Sequence, residues 1–225
     1  MKRDVTLEEI SDGRLYGRND MVKADCRGCK GCSECCQGMG ESIILDPLDI
    51  SRLTWNLGLS FEQLLAEEKL ELHVVDGVIL PNLKMAGSLE RCVFLNPDGR
   101  CGIHPFRPGI CRLFPLGRFY EDRDFQYFLQ IHECPHPSRT KVKVRKWIDT
   151  PDVKQYDSFI KAWHYFLSDL EAGMEQSSEE EIREWNLYVL KHFYQTPFEK
   201  ETDFYQEFQD RLRAAKVHLA ERGGI

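Results

Sequence analysis

Five of the nine cysteines fall within eleven consecutive residues, at a spacing that suits metal chelation. They are Cys26, Cys29, Cys32, Cys35 and Cys36. Residues three apart on a tight turn lie near one another, so thiolates at repeated x2 gaps can converge on one centre. Gly28 and Gly31 help, because glycine permits a close backbone approach. The spacing therefore predicts a metal site.

The adjacent Cys35 and Cys36 raise a separate question. Neighbouring side chains are expected to diverge, so this pair is expected to serve two metal centres, or one centre and one structural role. The remaining cysteines lie at or beside turn signals: Cys92, Cys101, Cys111 and Cys134.

The cofactor favoured by this pattern is an iron–sulfur cluster of the 4Fe-4S type, with zinc as the alternative. Structural zinc usually takes two cysteine pairs separated by a longer loop. Here one run holds several cysteines and Cys134 precedes Pro135, as in ferredoxins. An odd cysteine total disfavours a disulfide framework. Cys26 is the first candidate for a small buried apolar residue instead of a ligand.

Cationic and imidazole side chains accompany the later cysteines. Arg107 and Arg112 bracket Cys111, where they can neutralise an anionic cluster or bind a substrate carboxylate, and they are the cofactor-binding candidates. The alternative is that they pair with carboxylates and orient the loop. Three histidines near cysteines are either ligands or ordinary solvent-facing residues, and His104 is the strongest of them: His104, His132 and His136.

Capping and turn signals predict the elements that position these residues. The first 25 residues are expected to be irregular. Asp46 and Pro47 predict a helix through about Trp55, and Ser60 with Gln63 forms a capping box for the next one. Turn signals predict three hairpins, joining 72–75 to 78–80, 92–95 to 101–103 and 116–120 to 125–131. Helical periodicity predicts three helices, over 151–173, about 178–195 and about 202–222.

These elements predict an α+β fold. We expect a cysteine-rich metal-binding domain with short β-hairpins and helices over residues 1–148. A helical C-terminal segment, of three helices packed on that domain, is expected over residues 149–225.

Charge and hydropathy narrow the classes of protein to consider. The chain has 225 residues and a formal net charge of −7, which disfavours a nucleic-acid binder. The N-terminus lacks the apolar stretch of a signal peptide, and the apolar runs are too short to cross a bilayer. We therefore expect a cytoplasmic protein without a membrane partner, acting on or with another protein. The sequence also lacks a P-loop and an H-E-x-x-H motif.

The cysteine motifs together resemble those of the YkgJ-type CxxCxxCC family, described as a zinc- or iron-chelating domain with eight cysteines. The resemblance covers roughly residues 26–136. It rests on Cys29-x2-Cys32-x2-Cys35-Cys36, Cys92-Val-Phe-Leu-Asn, Cys101-Gly-Ile-His, the run Arg107-Pro-Gly-Ile-Cys-Arg-Leu-Phe-Pro and a late Cys134. The ligands that the resemblance implies are Cys29, Cys32, Cys35, Cys36, Cys92, Cys101, Cys111 and Cys134. Cys26 exceeds the family pattern.

The family is distantly similar to flagellin lysine methylases, which carry an iron–sulfur cluster. Three functions follow as hypotheses: an iron–sulfur protein in electron transfer or in support of a modification reaction, a zinc-stabilised protein-interaction module, and a lysine N-methylase-like enzyme. A shared fold does not imply a shared reaction, so the resemblance alone does not choose between them.

Overall fold

The structure is a computed structural model that describes residues 6–26, 32–136 and 138–220. Its helices and strands confirm the α+β class and the helical C-terminal segment. In chain order the elements are α1 (Leu7–Ile10), β1 (Ser11–Tyr16), β2 (Met21–Asp25), α2 (Pro47–Leu57), α3 (Phe61–Ala66), β3 (Leu70–Val75), β4 (Val78–Leu83), β5 (Met85–Ala86), β6 (Arg91–Cys92), α4 (Gly109–Leu113), β7 (Leu116–Glu121), β8 (Asp124–Gln130), β9 (Thr140–Lys143), α5 (Val144–Ile148), α6 (Val153–Met174), α7 (Glu179–Leu190) and α8 (Phe204–Ala220).

The chain divides into two compact units, each made of two segments. Unit 1 combines Met1–Ile43 with Lys84–Tyr156, and unit 2 combines Ile44–Leu83 with Asp157–Ile225. Unit 1 therefore holds all the described cysteines. The division at residue 148 expected from the sequence stays a prediction.

A three-stranded antiparallel sheet in the order β1-β8-β7 is the largest sheet of unit 1 among the described residues. The β7–β8 hairpin confirms the third predicted hairpin. Its turn consists of Asp122 and Arg123, both at positive φ (50° and 59°), as a two-residue hairpin turn requires.

The expectation of an irregular N-terminus is wrong for the described residues from Thr6 onward. They form α1, β1 and β2, because strands much later in the chain supply their partners. β1 pairs with β8 and β2 pairs with β9, both antiparallel. β1 has no alternating pattern, since its four central residues are all exposed, so local sequence gives no strand signal.

A glycine in β7 makes room for an aromatic ring of β8. Gly117 lies opposite Phe128, and a Cβ built on Gly117 would lie 2.2 Å from Cζ of that ring. Phe128 is buried, so its ring cannot simply swing into solvent. A larger residue at position 117 would therefore displace the Phe128 ring.

Gly117→Ala should therefore destabilise the protein by about 2 kcal/mol, because the Phe128 ring must leave its site. The matched control is Gly17→Ala, where the new Cβ would meet its nearest atom at an ordinary 3.4 Å. Urea unfolding of both variants measures the difference. Equal midpoints for the two variants would show that the ring relaxes at no cost.

Helix caps in unit 2 follow the sequence signals closely. Asp46 accepts a hydrogen bond from Asp49 N (2.8 Å) and Pro47 opens α2, which ends at Gly58 with φ 69°. Ser60 and Gln63 form the predicted capping box of α3. The hairpin predicted to follow is β3–β4. These predictions are confirmed.

The three predicted C-terminal helices are also confirmed, as α6, α7 and α8. α7 continues into a π-helical turn over Lys191–Gln195. Aromatic rings fill the core between the helices within unit 2, with Phe159 and Phe208 at 4.6 Å and Trp163 and Phe193 at 5.0 Å between centroids. Within the described ranges, no helix has the length and apolar character needed to cross a membrane.

Asn186 on α7 ties the β3–β4 hairpin to the helices of unit 2. Its Oδ1 accepts from Ile79 N (2.6 Å), and its Nδ2 donates to Gly77 O (3.2 Å) and Ile182 O (3.0 Å). The side chain is buried at 4% exposure, so water cannot replace these bonds cheaply.

We expect Asn186→Ala to lower the free energy of unfolding by about 2 kcal/mol, because it removes the buried amide that bonds the partly buried Ile79 N–H and two carbonyls. The control is Asn56→Ala, which removes one hydrogen bond from the side-chain amide to Arg52 O on an exposed helix face. It should lower the free energy of unfolding by less than about 0.5 kcal/mol. Chemical denaturation compares them. Similar losses in the two variants would contradict the role assigned to Asn186.

Candidate metal centre

A short 3-10 turn over Glu34–Cys36 brings the two adjacent cysteines together. The turn closes with a hydrogen bond from Cys36 N to Ser33 O (2.8 Å). The two Sγ atoms lie 3.9 Å apart. The expectation that these neighbouring side chains diverge is therefore wrong, because the tight turn folds them toward each other.

A second tight loop carries Cys92 and Cys101. β6 pairs with β5 through Cys92 and Met85, and an isolated bridge joins Leu95 to Cys101. The predicted turn between them is present, closed by Asn96 N to Arg100 O (2.8 Å). The strands predicted over 92–95 and 101–103 are wrong, because the two segments pair only through the single bridge between Leu95 and Cys101.

Backbone pairing joins the cysteine turn to this loop. Gly38 N donates to Glu90 O (3.0 Å), and Gln37 forms a bridge with Arg91. The residues just after Cys36 are thus held beside the residues just before Cys92.

Four thiols interact electrostatically as a result: Cys35, Cys36, Cys92 and Cys101, here called the four-thiol cluster. The hydrogen bond from Cys36, aided more weakly by the charge of Arg107, lowers the pKa of Cys35 to about 7. That same hydrogen bond, burial, and the nearby Cys92 and Cys101 raise the pKa of Cys36. Burial raises the pKa of both Cys92 and Cys101. The vicinal pair therefore loses its first proton at a lower pH than an isolated thiol would, and holds its second more tightly.

Arg107 supplies positive charge to this cluster. Its charge adds to the lowering of the Cys35 pKa that the hydrogen bond from Cys36 produces, and it partly offsets the rise in the Cys101 pKa that burial causes. Nη1 donates to Nε2 of His104, and Nε is buried without a hydrogen-bond partner among the described residues. Arg107 is thus placed where it can neutralise an anionic centre, and its assignment as a cofactor-binding residue stays a prediction.

Arg112 has a different environment from Arg107. It is buried and donates to three main-chain carbonyls, from Nε to Arg107 O (3.1 Å), from Nη1 to Asp149 O (2.9 Å) and from Nη2 to Pro105 O (2.5 Å). These bonds tie α4 to the 105–107 loop and to the end of α5. The geometry fits the alternative in which this arginine orients the loop, through the three carbonyls that accept from it.

His104 is placed as a partner of Arg107. An arginine can only donate, so Nε2 of His104 is the acceptor of their hydrogen bond. Burial, followed by the charge of Arg107, lowers the pKa of His104 and favours the neutral ring. The Nε2 lone pair is therefore directed at a guanidinium in this structure.

Of the other four predicted ligands the structure describes three, and it also describes Cys26. Cys111 lies on α4 and shares the lining of one cavity with Cys35. Cys32 and Cys134 are partly exposed, and Cys26 is buried at the end of β2. Cys29 falls outside the described residues. Among the described residues, no three Cys, His, Asp or Glu side chains are placed as ready ligands of one ion.

Sequence reasoning missed two features of the site. Trp147 donates from Nε1 to Leu113 O (3.3 Å) and Phe114 O (3.1 Å), so it holds the end of the helix that carries Cys111. The cavity beside Cys35 and Cys111, with a volume of about 420 Å³, was also missed. Neither has a local signal, since both depend on contacts between distant segments.

The donor chemistry of the four-thiol cluster suits a thiophilic metal. Zinc and iron–sulfur centres both take cysteine thiolates. Two sulfurs on one tetrahedral zinc, each about 2.3 Å from it, lie about 3.8 Å apart, close to the distance between Cys35 and Cys36. A 4Fe-4S cluster holds the sulfurs of its cysteine ligands further apart, because each of them binds a different iron.

Comparison with known proteins identifies the domain. Residues 28–135 match the model of the CxxCxxCC family, described as a putative zinc- or iron-chelating domain. No curated protein and no solved structure matches the chain. The match includes every cysteine of the four-thiol cluster, as well as Arg107 and Arg112. Residues 28–135, just under half of the chain, therefore match the CxxCxxCC family, and this match supports metal binding.

Proposed function

We propose that the chain carries an iron–sulfur centre, of the 4Fe-4S type, and acts in electron transfer or in support of a modification reaction. The observation that carries the proposal is the four-thiol cluster with the cation of Arg107 beside it. A 4Fe-4S cluster takes four cysteine thiolates and, when bound, accepts or donates one electron.

The protein's own residues have definable parts in this proposal. The cysteines of the four-thiol cluster supply the thiolates, and Cys35 and Cys36 must separate beyond their present 3.9 Å for both to bind irons of one 4Fe-4S cluster. Arg107 offsets the negative charge that accumulates when thiolates bind a metal, and hydrogen bonding and charge near the sulfurs are what tune such a centre. Arg112 and Trp147 hold the helix that carries Cys111.

Zinc is the second candidate, favoured by the 3.9 Å between the sulfurs of Cys35 and Cys36. In that case Cys35 and Cys36 bind the same ion and the domain is a zinc-stabilised interaction module. Metal binding would then contribute to the folding free energy directly.

A protein-modifying enzyme, such as a lysine N-methylase, is the third candidate. The observation that favours it is the cavity of about 420 Å³ beside Cys35 and Cys111, which is within the size range of small-molecule sites. Saturable binding of adenosylmethionine would support this candidate, and no binding would contradict it.

Metal and acid-labile sulfide analysis of protein purified without oxygen tests the proposal. We expect about four iron and four sulfide per chain, with broad visible absorption. One or two zinc ions without sulfide would contradict the iron–sulfur proposal and support the interaction module. Protein that binds neither metal would contradict both.

A further inference from the structure

The outer edge of β7 is a strand edge with an available backbone. Among the described residues β7 pairs with β8 alone. The two-residue turn makes Glu121 and Asp124 a hydrogen-bonded pair, so the odd-numbered residues of β7 bond to β8. Arg118 then directs its N–H and C=O away from the sheet, and no described backbone hydrogen bond uses either group.

The cavity beside Cys35 and Cys111 lies along this edge. Five consecutive residues of β7, Leu116 through Tyr120, line it. Side chains alternate between the faces of a strand, so a cavity on one face would be lined by every second residue. Lining by consecutive residues means that the cavity reaches the outer edge of β7, where a further strand would lie. Phe128 and Gln130 of β8 also line it, so the cavity extends over the face of the sheet that carries Gly117 and Phe119.

The side chain of Arg118 gives this edge a charge preference. Nη2 donates to Tyr156 Oη (3.2 Å), and the guanidinium lies 5.7 Å from the ring centroids of Phe125 and Tyr156. Nε is buried without a hydrogen-bond partner, and no carboxylate of the described residues pairs with this cation. A cation shielded from water in this way favours an anion brought beside it.

The apolar part of the cavity limits what else can bind. Phe119 and Phe128 line it, together with Met39, Ile43 and Ile110. A polar or strongly charged chain would lose hydration against this surface, whereas apolar side chains gain from burial there.

We propose that this groove binds an extended peptide segment, which adds to β7 as an antiparallel or parallel strand. Its apolar side chains enter the cavity, and an acidic side chain lies beside Arg118 as a cross-strand partner. The bound segment runs past Cys35 and Cys111, so the groove presents a protein partner or substrate to the metal centre. The proposal stands on the strand edge and the cavity, and does not depend on which metal is bound.

Fluorescence anisotropy with labelled seven-residue peptides tests the proposal on the metal-loaded full chain. The probe is Val-Thr-Val-Glu-Val-Thr-Val with blocked ends. One control peptide has N-methyl groups on alternate residues, which removes the donors that would face Arg118, and another has Gln for Glu. We expect saturable binding of the probe and about tenfold weaker binding of the N-methylated peptide.

Protein variants test the contribution of the Arg118 charge to peptide binding separately from that of the β7 backbone. Arg118→Met should abolish the preference for the Glu peptide over the Gln peptide, while the N-methylated peptide should still bind weakly. Arg123→Met, at an exposed arginine in the turn of the same hairpin, should preserve both preferences. Equal binding of probe and N-methylated peptide would overturn the proposal, as would no binding by protein with full metal content. A concentration-dependent dimer that excludes the probe would also overturn it, because the edge would then pair with a second copy.

Discussion

Cys92→Ser should weaken metal binding by more than about 100-fold, while Cys26→Ser retains the full metal content. Loss of residues that merely support a ligand costs 10–100-fold, so loss of a ligand should cost more. Cys92 interacts with Cys101 and Cys35 in the four-thiol cluster, whereas Cys26 lies at the end of β2 and exceeds the family pattern. Elemental analysis after dialysis, with a competing chelator to rank affinities, measures the effect.

The two variants are closely matched. Both cysteines are buried, at 8% and 4% exposure, so replacing sulfur by a hydroxyl disturbs packing similarly in each. Metal loss in both variants, or in Cys26→Ser alone, would contradict the ligand assignment. Equal metal retention in both variants would show that Cys92 is not a ligand.

Arg112→Ala should lower the free energy of unfolding by about 3 kcal/mol. The substitution leaves three partly buried carbonyls without their charged donor. Hydrogen bonds to charged groups contribute a net of about 1.5–3 kcal/mol each, and water that enters the variant recovers part of the total. Arg112→Lys should recover only part of the loss, since an ammonium cannot match the planar fork that reaches three acceptors. Urea unfolding at a fixed metal concentration compares the variants.

Arg145→Ala is the matched control, because this arginine is exposed on α5, close in sequence to Asp149. It should change stability by less than about 0.5 kcal/mol. If Arg112→Ala left stability unchanged but abolished metal binding, the arginine would act on the cofactor and the loop-orienting role would be wrong.

Local signals predicted the elements whose stability is itself local. The Asp46 cap, the Ser60 capping box and the Asp76-Gly77 turn each involve residues within three or four positions of one another, and each is confirmed. β1 and β2 were missed because their hydrogen-bond partners, β8 and β9, lie far along the chain. A strand whose central residues are all exposed carries no alternation by which it could be recognised.

In the candidate site too, locally determined features were predictable from the sequence and non-local ones were not. Cysteine spacing was enough to predict a metal-chelating domain, and the match over residues 28–135 confirms that much. It did not predict that Cys35 and Cys36 converge, because that depends on the 3-10 turn and not on residue type. Nor could it separate Arg107 from Arg112, which look alike in sequence and differ in burial and partners.

X-ray absorption at the metal edge, on protein purified without oxygen, tests most directly the claim that cysteine sulfurs of the four-thiol cluster hold the metal. We expect a first shell of about four sulfurs at about 2.3 Å. In Cys92→Ser the residual metal should lose about one sulfur in four if it is a single ion, but only about one metal–sulfur bond in sixteen if it is a 4Fe-4S cluster, in which each iron also binds sulfides. A metal–metal distance in the second shell would identify a cluster, and its absence a single ion. A first shell dominated by nitrogen or oxygen, unchanged in Cys92→Ser, would contradict the account.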